Sequence, residues 1–180
     1  MYKSFAPSDD ARRIFKFDPL LSSDMDDDAV AGIYTRESVY LEGFVQLGVA
    51  SGRVLSVSFP ENPEESAGED HPVLERIFEY LDGVAEVDFD DVQVALTVPT
   101  DQRAVLEGVR TIPYGEQIDV SALARLTPDL DPEDDDDIVL VRTALAENPA
   151  PILIPDHRVR DGPSAAPPPV EQKLRSLEGL

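Results

Sequence analysis

The chain contains no cysteine among its 180 residues. Thiolate chemistry is thereby excluded, whether as nucleophile or as alkyl acceptor, and nothing is learned about the redox compartment. Lysine is almost as scarce, being confined to Lys3, Lys16 and Lys173. Fifteen Lys plus Arg stand against 37 Asp plus Glu, for a formal charge of −22, and such a surface repels nucleic acid and anionic membranes at ordinary salt. No apolar run approaches the roughly 20 residues needed to span a bilayer. The first residues lack the basic, apolar, small-residue order of a secretion signal. No internal repeat or Gly-rich phosphate loop is visible, and no metal or cofactor is expected. These absences lead to the expectation of a soluble, cytoplasmic, monomeric protein.

An apolar content of 42% suffices for one larger domain or two small ones with modest cores. The acids have two competing explanations: a proteome adapted to high internal salt, or a specific acidic interaction surface. They are dispersed through almost every segment, including Ser23-Asp24-Met25-Asp26-Asp27-Asp28. That dispersion favours a salt-adapted, haloarchaeal-type cytoplasm, where screening removes most of the self-repulsion, and it predicts poor folding in dilute buffer.

Residues 1–30 are charged and irregular, with one apolar cluster (Ile14, Phe15, Phe17, Leu20, Leu21) able to dock on the body. Val39 to Val49 and Val54 to Phe59 alternate as strands about an Ala50-Ser51-Gly52 turn. His71 to Leu81 places Val73, Leu74, Ile77, Phe78 and Leu81 on one helical face, ending at Asp82-Gly83. Alternation between Val84 and Val98 predicts further strands completing a small sheet. Thr100 or Asp101 caps a helix running to Val109. A short helix over Ser121–Leu126, a turn over Thr127–Pro132 and a longer helix over Glu133–Glu147, stopped by Asn148-Pro149, fit a helix-turn-helix. The expected fold class is α/β, with a small N-terminal α/β domain (31–98, antiparallel sheet) and a C-terminal winged helix-turn-helix-like domain (99–180).

The most informative stretch is Asn148-Pro149-Ala150-Pro151-Ile152-Leu153-Ile154-Pro155-Asp156-His157-Arg158-Val159. It resembles the active-site signature of the alkylguanine-DNA alkyltransferases (methylated-DNA–protein-cysteine methyltransferases), in which Asn-Pro, a short apolar strand and Pro-Cys-His-Arg-Val follow one another. Thr100 to Glu116, ending Ile112-Pro113-Tyr114-Gly115-Glu116, is similar to the family's entry into its DNA-binding half. Pro72 to Phe89 is similar to the close of its N-terminal domain. The resemblance implies that Asp156 occupies the acceptor position of a cysteine-less member, and that Glu178 completes a relay through His157. A carboxylate is a hard, solvated nucleophile and a poor substitute for a thiolate in displacement at an alkyl carbon. Asp156, His157, Glu178 and Asn148 therefore read as a degenerate site with no catalytic residue, and His157 as a buried histidine satisfied by Glu178 and backbone groups.

The resemblance also implies a second helix entering the minor groove, with an arginine filling the space left by a flipped nucleotide. Aligned back from Asn148-Pro149, that arginine position is Val139, and the helix start carries Glu133-Asp134-Asp135-Asp136-Asp137. The family's Ser-Tyr becomes Asp119-Val120, and its Gly-rich loop becomes Gly162 to Pro169. Arg142, Arg125 and Arg158, with Arg160 beside them, are the candidate DNA contacts, although pairing with the many nearby acids is the favoured reading. Three functions stay open: a non-catalytic sensor of double-stranded DNA containing alkylated guanine; a module that has left DNA and contacts repair or regulatory proteins; and an enzyme that esterifies and hydrolyses at Asp156.

Overall fold

The computed structural model describes residues 31–84 and 86–180, so the expected apolar cluster at Ile14–Leu21 lies outside the described residues. Three antiparallel strands open the described chain in the order β1 (Gly32–Ser38), β2 (Gly43–Ala50), β3 (Arg53–Ser58). Ser51 and Gly52, at φ 52° and 69°, form the tight turn between β2 and β3. Positive φ at both central residues matches the twist of the flanking strands. The sheet buries Val45, Leu47 and Val49 by period-2 alternation in β2, and a register shift at Gly48/Val49 lets Val54 and Val57, three residues apart, pair with Val49 and Leu47 and be buried with them.

Two expectations fail in this half. Val39 to Glu42 is a turn rather than the start of a strand, with Val39 93% exposed, while β1 lies earlier. Its edge position leaves it with no clean alternation of apolar residues. The segment 84–98 holds no strand among its described residues. It is bonded to the sheet where Val54 N–H donates to Gln93 O (2.9 Å) and Ala95 N–H to Val54 O (2.8 Å). Asp88, Asp90 and Asp91 interrupt the apolar pattern there, and Arg110 holds the segment by donating to Phe89 O (2.7 Å) and Val92 O (3.0 Å).

Helix α1 (Pro72–Leu81) starts with proline in its first turn and with the His71 side chain accepting from Val73 N–H, both favourable at a helix N-terminus. It buries Leu74, Ile77, Tyr80 and Leu81. Helix α2 (Thr100–Arg110) has Pro99 as its N-cap without a side-chain cap bond, which corrects the expected Thr100 or Asp101 cap. Asp119 caps α3 (Val120–Leu126), and Asp134 caps α4 (Asp135–Ala146). The expected start of α4 at Glu133 is too early because Glu133 N–H is taken by the Asp131 side chain. Asp135, Asp136 and Asp137 in the first turn stabilise α4 through its dipole.

Helices α2, α3 and α4 pack through Val105, Leu106, Val109, Leu123, Ala124, Val141, Ala144 and Leu145. Each fully buried leucine there contributes roughly 1.5–3 kcal/mol. Gly108 permits the approach, since a Cβ on it would stand 3.3 Å from Leu123 Cδ1. Helix α5 (Pro168–Glu178) ends at Gly179 with φ 75°, the left-handed conformation that closes a helix. The two halves meet through Val57 N–H to Pro149 O (2.9 Å) and Tyr40 O–H to Lys173 O (2.7 Å). The α/β class with an antiparallel sheet ahead of a helical half is the observed fold. None of the helices among the described residues is long and apolar enough to cross a membrane.

Candidate functional site

Asn148-Pro149 ends α4, and the prolines at 149, 151 and 155 fix the backbone that follows. The resemblance implies an apolar strand at this point; the structure has a tight turn in which Pro151 bridges Ile154 and Ile154 N–H donates to Ala150 O (2.9 Å). Ile152 sits at φ 78° while 3% exposed. Left-handed backbone is costly for a β-branched side chain, so surrounding packing must hold it. A single 3-10 turn, Asp156–Arg158, follows.

Asp156 is fully buried, and both its oxygens accept hydrogen bonds. Ser164 Oγ donates to Oδ1 at 2.7 Å, while Asn148 Nδ2 (2.9 Å) and Ala165 N–H (3.0 Å) donate to Oδ2. Burial pushes the carboxyl above its ordinary value, opposed by those donors and by the adjacent His157. Asn148 is itself satisfied, its Nδ2 also donating to Ile154 O (2.9 Å) and its Oδ1 accepting from Ala150 N–H (3.0 Å).

Glu178, at the end of α5, gathers the second cluster. Its Oε1 accepts from Tyr80 O–H (2.5 Å), His157 Nε2 (2.8 Å) and Arg158 Nη2 (3.0 Å). Its Oε2 accepts from Arg158 Nε (2.8 Å) and Gly115 N–H (3.2 Å). Burial alone would raise this carboxyl; His157, Arg158 and Tyr80 more than offset it and hold it at about 2. The carboxylate can only accept, so the His157 proton facing it resides on Nε2. His157 Nδ1 is then buried with no protein partner. Burial and the Glu178 charge push the Tyr80 hydroxyl upward, so it remains a donor.

His157 and Glu178 therefore meet as expected, although His157 is held by side chains rather than by backbone groups. Tyr80 and Gly115 were missed as partners of Glu178, and Ser164 and Ala165 as partners of Asp156. Tyr80 carried a signal, since it stands three residues after Ile77 on the buried face of α1. The donors of the 162–167 loop carried none, because the direction of the Ser164 hydroxyl and of the Ala165 N–H is set only by the folded chain.

Arg158 and Arg160 pair with acids, the outcome favoured over a basic patch. Arg158 is largely buried against Glu178 and donates to Ile112 O (2.5 Å). Arg142 donates to Asp161 O (2.9 Å) and Arg160 pairs with Asp119 (2.7 Å). Arg125 is exposed on α3. Val139 on α4 and Leu126 at the end of α3 are 60% and 62% exposed. A cavity of about 370 Å³ is lined by Phe89, Arg110, Tyr114, Leu153, Pro155 and Arg158, among others, and one of about 610 Å³ lies between β3 and the start of α1; Asp156 lines neither. Among the described residues there is no His, Asp and Glu group that could hold a metal ion.

The family described as 6-O-methylguanine DNA methyltransferase, DNA binding domain, matches residues 100–172. A methylated-DNA–protein-cysteine methyltransferase of Methanopyrus kandleri is 34% identical over 133 residues, covering 69% of this chain and 93% of the relative. The chain belongs to the methylated-DNA–protein-cysteine methyltransferase family. Solved structures share the fold: the 6-O-methylguanine-DNA methyltransferase of Pyrococcus kodakaraensis has TM-score 0.62 and 20% identity over 82% of this chain and 99% of that one. The Mycobacterium tuberculosis protein OGT, crystallised in complex with DNA, has TM-score 0.61 and 22% identity over 82% of this chain and 91% of that one. Within a family of DNA-repair alkyltransferases named for a cysteine, this member has none.

Proposed function

We propose that this protein is a non-catalytic reader of double-stranded DNA carrying alkylated guanine. Residues 99–180 serve as the DNA-binding domain, 31–98 as a supporting α/β domain, and α3 with α4 as the helix-turn-helix. The observation that supports the reading is the buried, hydrogen-bonded framework in which Asn148 donates to Asp156, and His157 and Arg158 donate to Glu178, at the place where the resemblance implies an acceptor cysteine. Val139 stands exposed on α4, and an apolar wedge of this kind can enter a minor groove and unstack a base step. Arg142 supplies phosphate contact by exchanging Asp161 O for DNA, and Arg125 extends that contact from α3; Arg158 acts from within by holding Glu178. The high charge is met by a salt-rich cytoplasm, where the protein acts as a monomer without cofactor.

An ester-forming Asp156 gains no support, because both of its oxygens are bonded and none of its surface is exposed. The test is incubation with a duplex containing 6-O-methylguanine, followed by intact mass of the protein and nucleoside analysis of the DNA. Retention of the lesion duplex with both masses unchanged is expected; a methyl group on the protein or lost from the DNA would overturn the non-catalytic reading.

One observation favours a second reading. Glu133 to Asp136 at the start of α4 are exposed beside a helix whose Val139 is exposed and whose Arg142 is engaged internally. A face with that chemistry suits a basic protein partner, in repair or in regulation, better than phosphate. Recovery of no protein partner from a high-salt lysate would count against it.

A further inference from the structure

We propose that Asp156 positions the 162–167 loop and shuts this position from within, the carboxylate gathering donors from the loop and from the end of α4. The donors come from three places: Ser164 Oγ and Ala165 N–H from the loop, and Asn148 Nδ2 from the end of α4. Ser164 Oγ also accepts from Ala166 N–H at 3.1 Å, so the bond to Asp156 sets the hydroxyl that shapes the next turn of the loop. The rest of the loop is built for a fixed seat. Gly162 lies so close to the core that a Cβ would stand 2.7 Å from Leu145 Cδ1 and 3.2 Å from Val120 Cγ2. Ala166 is 4% exposed, and Pro163 and Pro167 limit the backbone conformations available. Asp156 has no exposed surface, and the loop beside it is bonded to its carboxylate through Ser164 and Ala165.

Asp156 is thus a positioning residue. Removing its carboxylate leaves three donors, the buried Asn148 amide and the half-buried Ser164 hydroxyl and Ala165 N–H, around the space it filled, and that cradle has the size and polarity of a small carboxylate. An asparagine differs: its side-chain oxygen accepts from Asn148 Nδ2 and Ala165 N–H while its amide donates to Ser164 Oγ. The loop's closure should therefore survive Asp156→Asn and fail in Asp156→Ala. This inference stands apart from DNA binding, since it concerns the free protein.

The experiment is amide hydrogen exchange over residues 162–167 in molar KCl, on wild type, Asp156→Asn, Asp156→Ala and Ser164→Ala, with and without sodium formate as the probe. Asp156→Ala is expected to raise exchange at Ala165 and Ala166 by about ten-fold or more, as the loss of a buried hydrogen bond implies. Formate should restore protection in Asp156→Ala alone, and Asp156→Asn should match wild type. Ser164→Ala, which keeps the aspartate and avoids a cavity at 156, should raise exchange at Ala166. Unchanged protection in Asp156→Ala and Ser164→Ala, or an Asp156→Asn loop as labile as that of Asp156→Ala with no effect of formate, would overturn the proposal.

Discussion

Asp156 and Glu178 are buried carboxylates on either side of His157, and their surroundings drive them in opposite directions. Burial dominates at Asp156, which accepts only from neutral donors besides its interaction with His157, and its carboxyl is raised. At Glu178 burial is outweighed by the His157 and Arg158 bonds, and the carboxyl falls to about 2. Acid therefore acts on the two sites with opposite sign.

For Glu178 the folded value lies below the ordinary 4.5, so its contribution is complete above pH 4.5 and is lost as pH falls toward 2. For Asp156 the folded value lies above the ordinary 3.8, so the fold binds its proton more tightly than the unfolded chain does and loses stability as pH rises through the folded value. Denaturant titrations from pH 2 to 7 should show Asp156→Asn flattening the loss on the rising side. The same variant should leave the acid limb below pH 4.5 in place, whereas Glu178→Gln should remove it. An acid limb indifferent to Glu178→Gln would contradict this assignment.

Glu178→Ala strands the Arg158 guanidinium and the Tyr80 hydroxyl together, and breaking a buried ion pair from one side costs about 3–5 kcal/mol. Tyr80→Phe removes a single donor and should cost about 1 kcal/mol, in line with one buried hydrogen bond. Urea midpoints in molar KCl measure both; equal, small effects would mean the cluster is not the junction between α1 and α5.

Gly162→Ala should destabilise by roughly 1–3 kcal/mol through overpacking against Leu145, whose side chain is fully buried and has little room to yield. Gly162→Ala combined with Leu145→Val should recover part of that loss if the clash is the cause. Additive destabilisation in the double variant would place the cause elsewhere.

A net charge of −22 implies that screening cations stabilise the fold. Thermal midpoints should climb steadily from 0.1 M toward molar KCl, as a Debye length falling from about 10 Å to about 3 Å requires. A midpoint that does not move with salt would show that self-repulsion is already balanced locally.

Much of this was legible before the fold was seen. The hairpin, α1 and the α3–α4 pair came from periodicity and proline, and the site's outline came from the Asn148 to Val159 signature. The strands expected over 84–98 were not there, because alternation around Val87, Phe89, Val92 and Val94 describes residues that dip into a core without saying whether a neighbouring strand exists. Pairing of the arginines within the chain was the favoured expectation, but their partners were not legible: Glu178 and Asp161 O lie 20 and 19 residues from Arg158 and Arg142 in sequence. The closing of the loop on Asp156 depends on a main-chain N–H and a serine hydroxyl, groups whose direction only the folded chain sets.

The most direct measurement is fluorescence anisotropy of a duplex with one 6-O-methylguanine against its undamaged counterpart, titrated with wild type, Arg142→Ala and Val139→Asp through a series of KCl concentrations up to molar. Tighter binding of the damaged duplex, weakened by both substitutions, is the predicted result. Equal affinity for the two duplexes, or no binding at any salt, would contradict the reading of this protein as a non-catalytic lesion binder and leave its acidic α4 face to a protein partner.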